Sequence, residues 1–525
     1  MQIKKLCIDN HLCLVDFDIC FQTINGGSST VIIGENGSGK STMLRAILNI
    51  IMSFDMLSMR SYSIANKITY DYLLEYEYAQ QEISIEKSGT EYTVFVDGDR
   101  FYKGSLLTVK LSLEMCQTRI FPERVIAFYS GNDNSFYDNI KKKNSQYNKK
   151  CRKIYEDYIK SMTTGVEFSS VSIPKRNYIY CDESLVPIYL CAILAGNDSY
   201  EKEIIKEKCK LSRINQIDIS MVIDVEALFD SSNFKNRLFS FIEYIDHRFI
   251  EVFMEGNWTF SDNKVFFTIY ALDSLYLDSI SILNFLEKLK LFYKAEYAVY
   301  VESDGNNVNI DYLSEGQRQL IKVVGMLGIC KSEDCLVLMD EPDVYMNPRW
   351  KYEIKEIIDK VLESTVNTQA IIATHDPLVI NGVSKEFIRI FERDDETGVT
   401  KVIVPESDTD GMGIDGLLQS EYYGLPTVLD TETKKKLDEK YDLMVKAKEN
   451  DNVLNKKDRQ KLKELTEIIE DMTFSRNIPT DIYYDEYVVA MHKIYREKTS
   501  GKLSKEEIEE RNATAEEILR GLLGE

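Results

Sequence analysis

Histidine is scarce in this chain, with four in 525 residues. His11, His247, His375 and His492 lie too far apart in sequence to form a local metal cluster. The ten cysteines are scattered and include no CxxC pair, which excludes a zinc ribbon and a disulfide framework and leaves most of them as small buried hydrophobes. Long apolar runs are missing too: none reaches the ~18 residues needed to span a bilayer. Lys4, Lys5, Asp9, Asp16 and Asp18 break up the start of the chain, so it reads as neither anchor nor signal peptide, and the expected location is cytoplasmic, with no membrane partner. Positive charge is in deficit, 64 Lys and Arg against 86 Asp and Glu, for a net charge of −22. Such a balance opposes nonspecific adhesion to nucleic acid or anionic lipid. One local exception is the run Lys141 to Lys153, with seven cations around Tyr147. Runs of this kind are usually solvated loops or helix starts, and otherwise contacts for nucleic acid or an acidic partner. No heptad pattern persists, which excludes long coiled-coil arms.

What is present is a globular composition, 44% hydrophobic and 29% charged, in a chain long enough for two or three domains. Period-two alternation in Ile3 to Ile8 and Leu14 to Phe21 predicts a hairpin. The apolar run Thr30 to Ile33 stops at Gly34 and gives way to Leu44, Ile47, Leu48 and Ile51 at helical spacing, so a strand, a glycine loop and a helix follow one another. Alternation returns from Ile68 to Val96 as an antiparallel meander, and Val125 to Tyr129 adds a short strand. Helical segments then dominate, with little sign of strand order, until sheet signals resume at Tyr297 to Val301, Leu336 to Met339, Ala370 to Ala373, Phe387 to Phe391 and Lys401 to Val404. The expected domains are therefore an α/β head in two halves, 1–135 and 297–405, a mainly helical insertion at 136–296, and a helical extension at 406–525. In the extension, the stripes Leu437, Tyr441, Met444 and Leu462, Leu465, Ile469, Met472 predict a helical hairpin. Capping-box spacing at Ser504 with Glu507 and at Thr514 with Glu517 predicts two further short helices.

Gly34-Glu35-Asn36-Gly37-Ser38-Gly39-Lys40-Ser41 fits the P-loop pattern and occupies the strand-to-helix junction that such a loop requires. Glycines let backbone N–H groups wrap the phosphates of ATP, and the helix N-terminus, reached through Ser41 and Thr42, adds partial positive charge. Lys40 neutralises the β and γ phosphates and Ser41 ligates Mg²⁺. The apolar strand Leu336 to Met339 ends in Asp340 and Glu341. Asp340 is the expected Mg²⁺ residue and Glu341 the carboxylate that orients or deprotonates the attacking water. Ile371 to Ala373 delivers Thr374 and His375 to the carboxyl edge of the sheet, where ligands bind in α/β folds.

Leu313-Ser314-Glu315-Gly316-Gln317, opening a helix, resembles the ABC signature Leu-Ser-Gly-Gly-Gln, with Glu315 in place of the first glycine; an ordinary N-capped helix is the bland alternative. The order of motifs identifies the chain as similar to the ABC ATPases. That resemblance implies an ABC-type P-loop head, ATP and Mg²⁺ as cofactors, a γ-phosphate contact for His375, and contacts from Ser314, Gly316 and Gln317 to ATP held by a second copy. Two composite sites would then form only when two heads meet, with larger assemblies left open. Asp343 to Pro348 resembles the D-loop, with Asn347 where histidine is more usual. The Q-loop is sought at Ser130 to Asn134, with Gln80 and Gln81 as rivals. About 280 residues separate Gly34 from Leu313, too many for a compact transporter ATPase. With Thr374-His375-Asp376-Pro377 and no membrane segment, the head resembles the RecF and OLD branch.

A narrower resemblance rests on Tyr178-Ile179-Tyr180-Cys181-Asp182 and Tyr423-Gly424-Leu425-Pro426-Thr427, which are similar to the PtuA family, the ATPase subunits of bacterial Septu antiphage systems. It implies antiviral defence, ATP-dependent regulation and a partner HNH endonuclease of the PtuB kind. This sequence has no His-Asn-His cluster of its own, and Asp408 and Asp410 read as loop residues rather than a toprim site. The alternative is a RecF-like repair ATPase that touches DNA through Lys141 to Lys153.

Overall fold

The computed structural model describes the chain except for residues 24–25, 55–67, 117–119, 131–134, 165–175, 198, 223–237, 241, 243–244, 262–263, 271, 273–276, 333, 366, 450–453, 471–481, 496–504 and 524–525. It divides into two compact units, one of Met1–Ile380 with Ser384–Glu406 and one of Asn381–Val383 with Ser407–Glu525.

Among the described residues, three sheets build the first unit. The strands β1 (Gln2–His11), β2 (Leu14–Cys20), β4 (Tyr72–Tyr78), β5 (Gln81–Ser88), β6 (Glu91–Val96) and β7 (Asp99–Ser105) form an antiparallel sheet in the order β2-β1-β4-β5-β6-β7. Alternation along β4 buries Tyr72, Leu74, Tyr76 and Tyr78 on one face, as a sheet with one covered side requires. The second sheet takes β3 (Ser28–Gly34), β8 (Arg124–Tyr129), β9 (Tyr178–Tyr180), β15 (Cys335–Asp340), β16 (Gln369–Ala373), β17 (Ile388–Arg393) and β18 (Thr400–Ile403) in the order β18-β17-β3-β16-β15-β8-β9. All its pairs are parallel except β17 with β18. Strands β15 and β16 are buried at every residue, the continuous apolar pattern of central parallel strands. A shared hydrophobic cluster runs from β1 and β4 through the helix Lys40–Ser53 to β15 and β16. Gln369 joins the two sheets: its Oε1 accepts from Ile3 N at 2.7 Å and its Nε2 donates to Ile3 O at 3.1 Å. The α/β head is thus a mostly parallel sheet beside an antiparallel meander.

The stretch 136–296 is mainly helical among its described residues, as expected, but it carries more strand order than expected. Strands β10 (Leu211–Val222), β11 (Asn257–Ser261) and β12 (Lys264–Ile269) join β13 (Glu296–Ser303) and β14 (Asn306–Asn309) in an antiparallel sheet ordered β11-β12-β10-β13-β14. Tyr297 to Val301 therefore belongs to this separate sheet and does not resume the parallel one. Strand β9 also lies inside the stretch yet extends the parallel sheet beside β8. Helices are present as expected, notably Ser135–Thr164, Val186–Ala195 and Ser279–Tyr293. The run Lys141 to Lys153 lies wholly within the first of these.

The second unit contains the helices Thr431–Glu449, with the stripe Leu437, Tyr441 and Met444, and Lys456–Glu470, with Leu462, Leu465 and Ile469; Met472 falls outside the described residues, and Ile482–Tyr495 and Lys505–Leu523 follow. Thr514 is not a cap: it lies within the last helix, where its hydroxyl donates back to Glu510 O at 2.8 Å. Ser504 falls outside the described residues. Asp408 and Asp410 lie outside helix and strand, as read from the sequence.

Candidate active site

The parallel sheet gathers the predicted residues at one edge, because β3, β15, β16 and β8 all end there. β3 runs into the loop at Gly34, and the helix Lys40–Ser53 starts the other side of it. Backbone geometry demands glycine here: Gly34, Gly37 and Gly39 have φ of +150°, +83° and +99°. A Cβ on Gly34 would stand 2.3 Å from Phe391 O, and one on Gly39 2.8 Å from Thr400 Oγ1. Thr400 braces the loop from behind by donating its hydroxyl to Ser38 O at 2.8 Å. The Lys40 ammonium folds over the loop and donates to Gly34 O at 2.7 Å and Glu35 O at 3.0 Å. Burial pushes its pKa down, while Glu341, Asp340 and Glu35 pull it back up.

Asp340 closes β15 and is 1% exposed. The Ser41 hydroxyl bonds to its carboxyl, whereas Oδ2 is buried with no hydrogen-bond partner. Burial, and then the Glu341 charge, push the Asp340 pKa up to about 6. A divalent cation supplies the missing counter-charge to such an oxygen, so Ser41 and Asp340 fit one. Glu341 has φ +56°, an uncommon region for a non-glycine residue, and Glu341 N donates to Ala373 O at 2.8 Å. Its Oε2 stands 2.7 Å from His375 Nδ1, off the line of an aligned hydrogen bond. The Glu341 side chain is 18% exposed and that of His375 54%, so the pair faces the open edge.

Behind this edge is a polar network whose roles the motif pattern did not reveal. Ser130, just past β8, donates its hydroxyl to Glu341 O at 2.5 Å, and Ser130 N donates to Asp340 O at 3.3 Å. Gln319 Nε2 donates to Ser130 Oγ at 2.7 Å and to Pro342 O at 3.0 Å. Its buried amide in an otherwise apolar helical stripe is the signal that could have found it. Asp343 is fully buried, accepts from Thr374 Oγ1 at 2.9 Å and lies 3.8 Å from Lys351 Nζ, which itself meets Asp376 Oδ2 at 2.7 Å. Of the Q-loop candidates, 131–134 lie outside the described residues, and Gln80 and Gln81 sit at the β4–β5 turn.

Ser314 caps the helix Glu315–Gly328 in a capping box: Ser314 Oγ accepts from Gln317 N at 3.3 Å and Gln317 Oε1 accepts from Ser314 N at 3.0 Å. Gln317 also donates to Cys209 O at 3.1 Å. A Cβ on Gly316 would meet Tyr345 O at 2.8 Å, so this glycine permits a close backbone approach. Asn347 is the N-cap of the helix Pro348–Glu363, its Oδ1 accepting from Trp350 N at 3.0 Å.

A glycine loop between strand and helix, a lysine folded over it, a half-satisfied buried aspartate and a half-buried glutamate beside an exposed histidine at one sheet edge have the make-up of a P-loop ATPase. Residues 1–380 match the AAA ATPase domain family, and the chain belongs to it. It is similar to a retron Vc95 probable ATPase of Vibrio cholerae serotype O1 biovar El Tor, 25% identical over 177 residues, which are 32% of this chain and 34% of that protein. It is also similar to the Septu protein PtuA of Bacillus mycoides (strain KBAB4), 24% identical over 163 residues, covering 30% of this chain and 21% of that one. The match thus spans about a third and about a fifth of the length of these two curated relatives. Among solved structures, the SMC head domain from Thermotoga maritima is 14% identical with a TM-score of 0.34, over 78% of this chain and 100% of that one. An SMC head bound to the C-winged helix domain of ScpA is 14% identical with a TM-score of 0.35, over 77% of this chain and 97% of that one. No helix among the described residues is long and apolar enough to cross a membrane.

Proposed function

We propose that this ATPase is the regulatory subunit of a bacterial antiphage defence complex, in which ATP-dependent meeting of two heads controls a separate HNH-type nuclease. The single observation that supports the ATP chemistry best is the buried Asp340 Oδ2 beside Ser41, Lys40 and Glu341. Bound ATP with Mg²⁺ supplies the phosphoanhydride and the Lewis acid. The residues of this chain then do the rest. Glycine N–H groups of the loop and Lys40 bind the phosphates, which requires Lys40 to exchange its two carbonyl partners for phosphate oxygens. Ser41 and Asp340 hold the cation. Glu341 accepts the proton of the attacking water, and His375, whose Nδ1 stands 2.7 Å from Glu341 Oε2, contacts the γ phosphate. Ser314, Gly316 and Gln317 serve the second head's ATP from the helix N-terminus.

The defence role draws on the likeness to the retron and Septu proteins, and the nuclease on the Septu system alone. Co-purification of the ATPase with the products of its neighbouring genes tests the reading, alongside a phage challenge of cells carrying Lys40→Ala. Recovery of a nuclease and loss of protection are expected. An ATPase that purifies without a nuclease and protects equally well as Lys40→Ala overturns it.

A further inference from the structure

Besides the ATP edge, the first unit holds a second polar cavity. It lies among the helix Ser135–Thr164, strand β9 and the helix Ser279–Tyr293, in two contiguous lobes of about 510 and 420 Å³ that share Asn148, Arg152, Arg176, Tyr180 and Asp182. Among the described residues, the larger lobe is lined by five cations, Arg124, Arg152, Arg176, Lys288 and Lys290, and two acids. Both acids are already engaged: Asp182 Oδ1 accepts from Ser184 N at 2.9 Å, and Glu287 Oε1 lies 3.4 Å from Arg176 Nη1. A chain of net charge −22 thus gathers five cations around one cavity. Burial pushes the Lys288 and Lys290 pKa values down, the cost of confining ammonium groups there. The basic run contributes by helical spacing: Lys141, Lys149 and Arg152 line the open cavity, whereas Lys142, Lys150 and Lys153 do not, and all six are exposed.

We propose that this cavity binds a small phosphorylated nucleotide, with Arg152, Arg176 and Lys288 holding phosphate and Tyr147, Tyr180 and Asn284 beside the base. Guanidinium and ammonium donors make their strongest bonds to phosphate oxygens, and tyrosine rings with amides are the groups that receive a nucleobase. Each lobe has the volume of a small-ligand pocket, roughly 300–1,000 Å³, and is far too small for a duplex.

The test uses the full chain carrying Lys40→Ala, which weakens binding at the P-loop. Titration calorimetry with AMP, GMP, CMP and UMP, and in parallel with inorganic pyrophosphate and a short single-stranded DNA, reads the cavity. One saturable site per chain for at least one mononucleotide is expected. Adding Arg152→Ala or Lys288→Met should weaken it about tenfold or more, and added salt should weaken it too. Unchanged circular dichroism of those variants shows that the fold survives, and unchanged ATP binding when each is placed alone in the wild-type chain shows that the first site does. Binding of DNA but no mononucleotide, binding of pyrophosphate alone, no saturable binding at millimolar probe, or binding that ignores both substitutions overturns the proposal. None of these outcomes bears on the ATPase reading, which Glu341→Gln tests separately.

Discussion

Asp340→Asn should make the nucleotide-free protein more stable while abolishing its activity. The Asp340 carboxyl is raised to about 6 from an ordinary 3.8, with burial as the first cause. At about 1.4 kcal/mol per pH unit, holding it ionised in the folded chain costs about 3 kcal/mol. The sign follows from the direction of the shift. Between the unfolded and folded pKa values the folded state binds the extra proton, so stability is fully present below about pH 4 and is lost as pH rises through about 6. Asparagine keeps the shape and a hydrogen-bond acceptor for Ser41 without the charge. Both tryptophans, Trp258 and Trp350, lie in the first unit, so urea unfolding followed by their fluorescence in chelator reports on the head. The variant should unfold at higher urea than the wild type at neutral pH, and the gap should close as pH falls toward about 4. Adding Mg²⁺ and ATP should stabilise only the wild type. A gap that is absent, or that stays constant with pH, refutes the assignment of a buried, under-compensated carboxylate.

Glu341→Gln should lower kcat by about 10²-fold or more while leaving ATP binding intact, and should accumulate ATP-bound dimers in light scattering; normal hydrolysis would remove Glu341 from its role. Gly34→Ala forces a Cβ to 2.3 Å from Phe391 O at a φ of +150°, and should cost about 2 kcal/mol or more in thermal unfolding together with ATP binding. Asn347→Ala removes the cap of the helix Pro348–Glu363 and should cost about 1 kcal/mol of head stability, which Asn347→Ser restores in large part.

The gathering of the loop, Asp340, Glu341 and His375 at one sheet edge was legible because each motif is local. A P-loop needs its glycines, Lys40 and Ser41 within one strand-to-helix junction, and Asp340, Glu341 and His375 each end an apolar run. Networks across the fold were not legible: Gln319, Ser130 and Pro342 are distant in sequence and meet only because two strands and a helix end together. Strand β10 was hidden for another reason. Its buried residues, Leu211, Ile214, Ile217, Ile219 and Met221, start with a spacing of three, and the pairing register shifts twice before regular alternation sets in. Such irregularity reads as helix or loop. Strand β9 has three residues, too few for any period to declare itself. Thr514 was misplaced because capping-box spacing also occurs inside an uninterrupted helix.

The reading of Ser314 as an N-cap and its reading as a phosphate contact are compatible, and the difference lies in what the helix Glu315–Gly328 is held by. Glu183 accepts from Lys322 Nζ at 2.6 Å and lies 3.9 Å from Arg318 Nη1, so one acid faces two cations of that helix. Glu183 belongs to the short turn Glu183–Leu185, whose next two residues line the basic cavity and whose Ser184 O accepts from Lys290 Nζ at 2.9 Å. A phosphate held by Arg152, Arg176 and Lys288 also attracts the neighbouring Lys290, and drawing it from Ser184 O loosens the turn that holds Lys322 and faces Arg318. Occupancy of the cavity should therefore change kcat for ATP, whereas a nucleotide that merely competes at the P-loop changes KM alone. Glu183→Gln keeps the turn but weakens its hold on both cations, so it should abolish the kcat response while the calorimetric affinity for the mononucleotide stays within about twofold of the parent. A response that survives Glu183→Gln would mean that the cavity does not reach the signature helix through this turn.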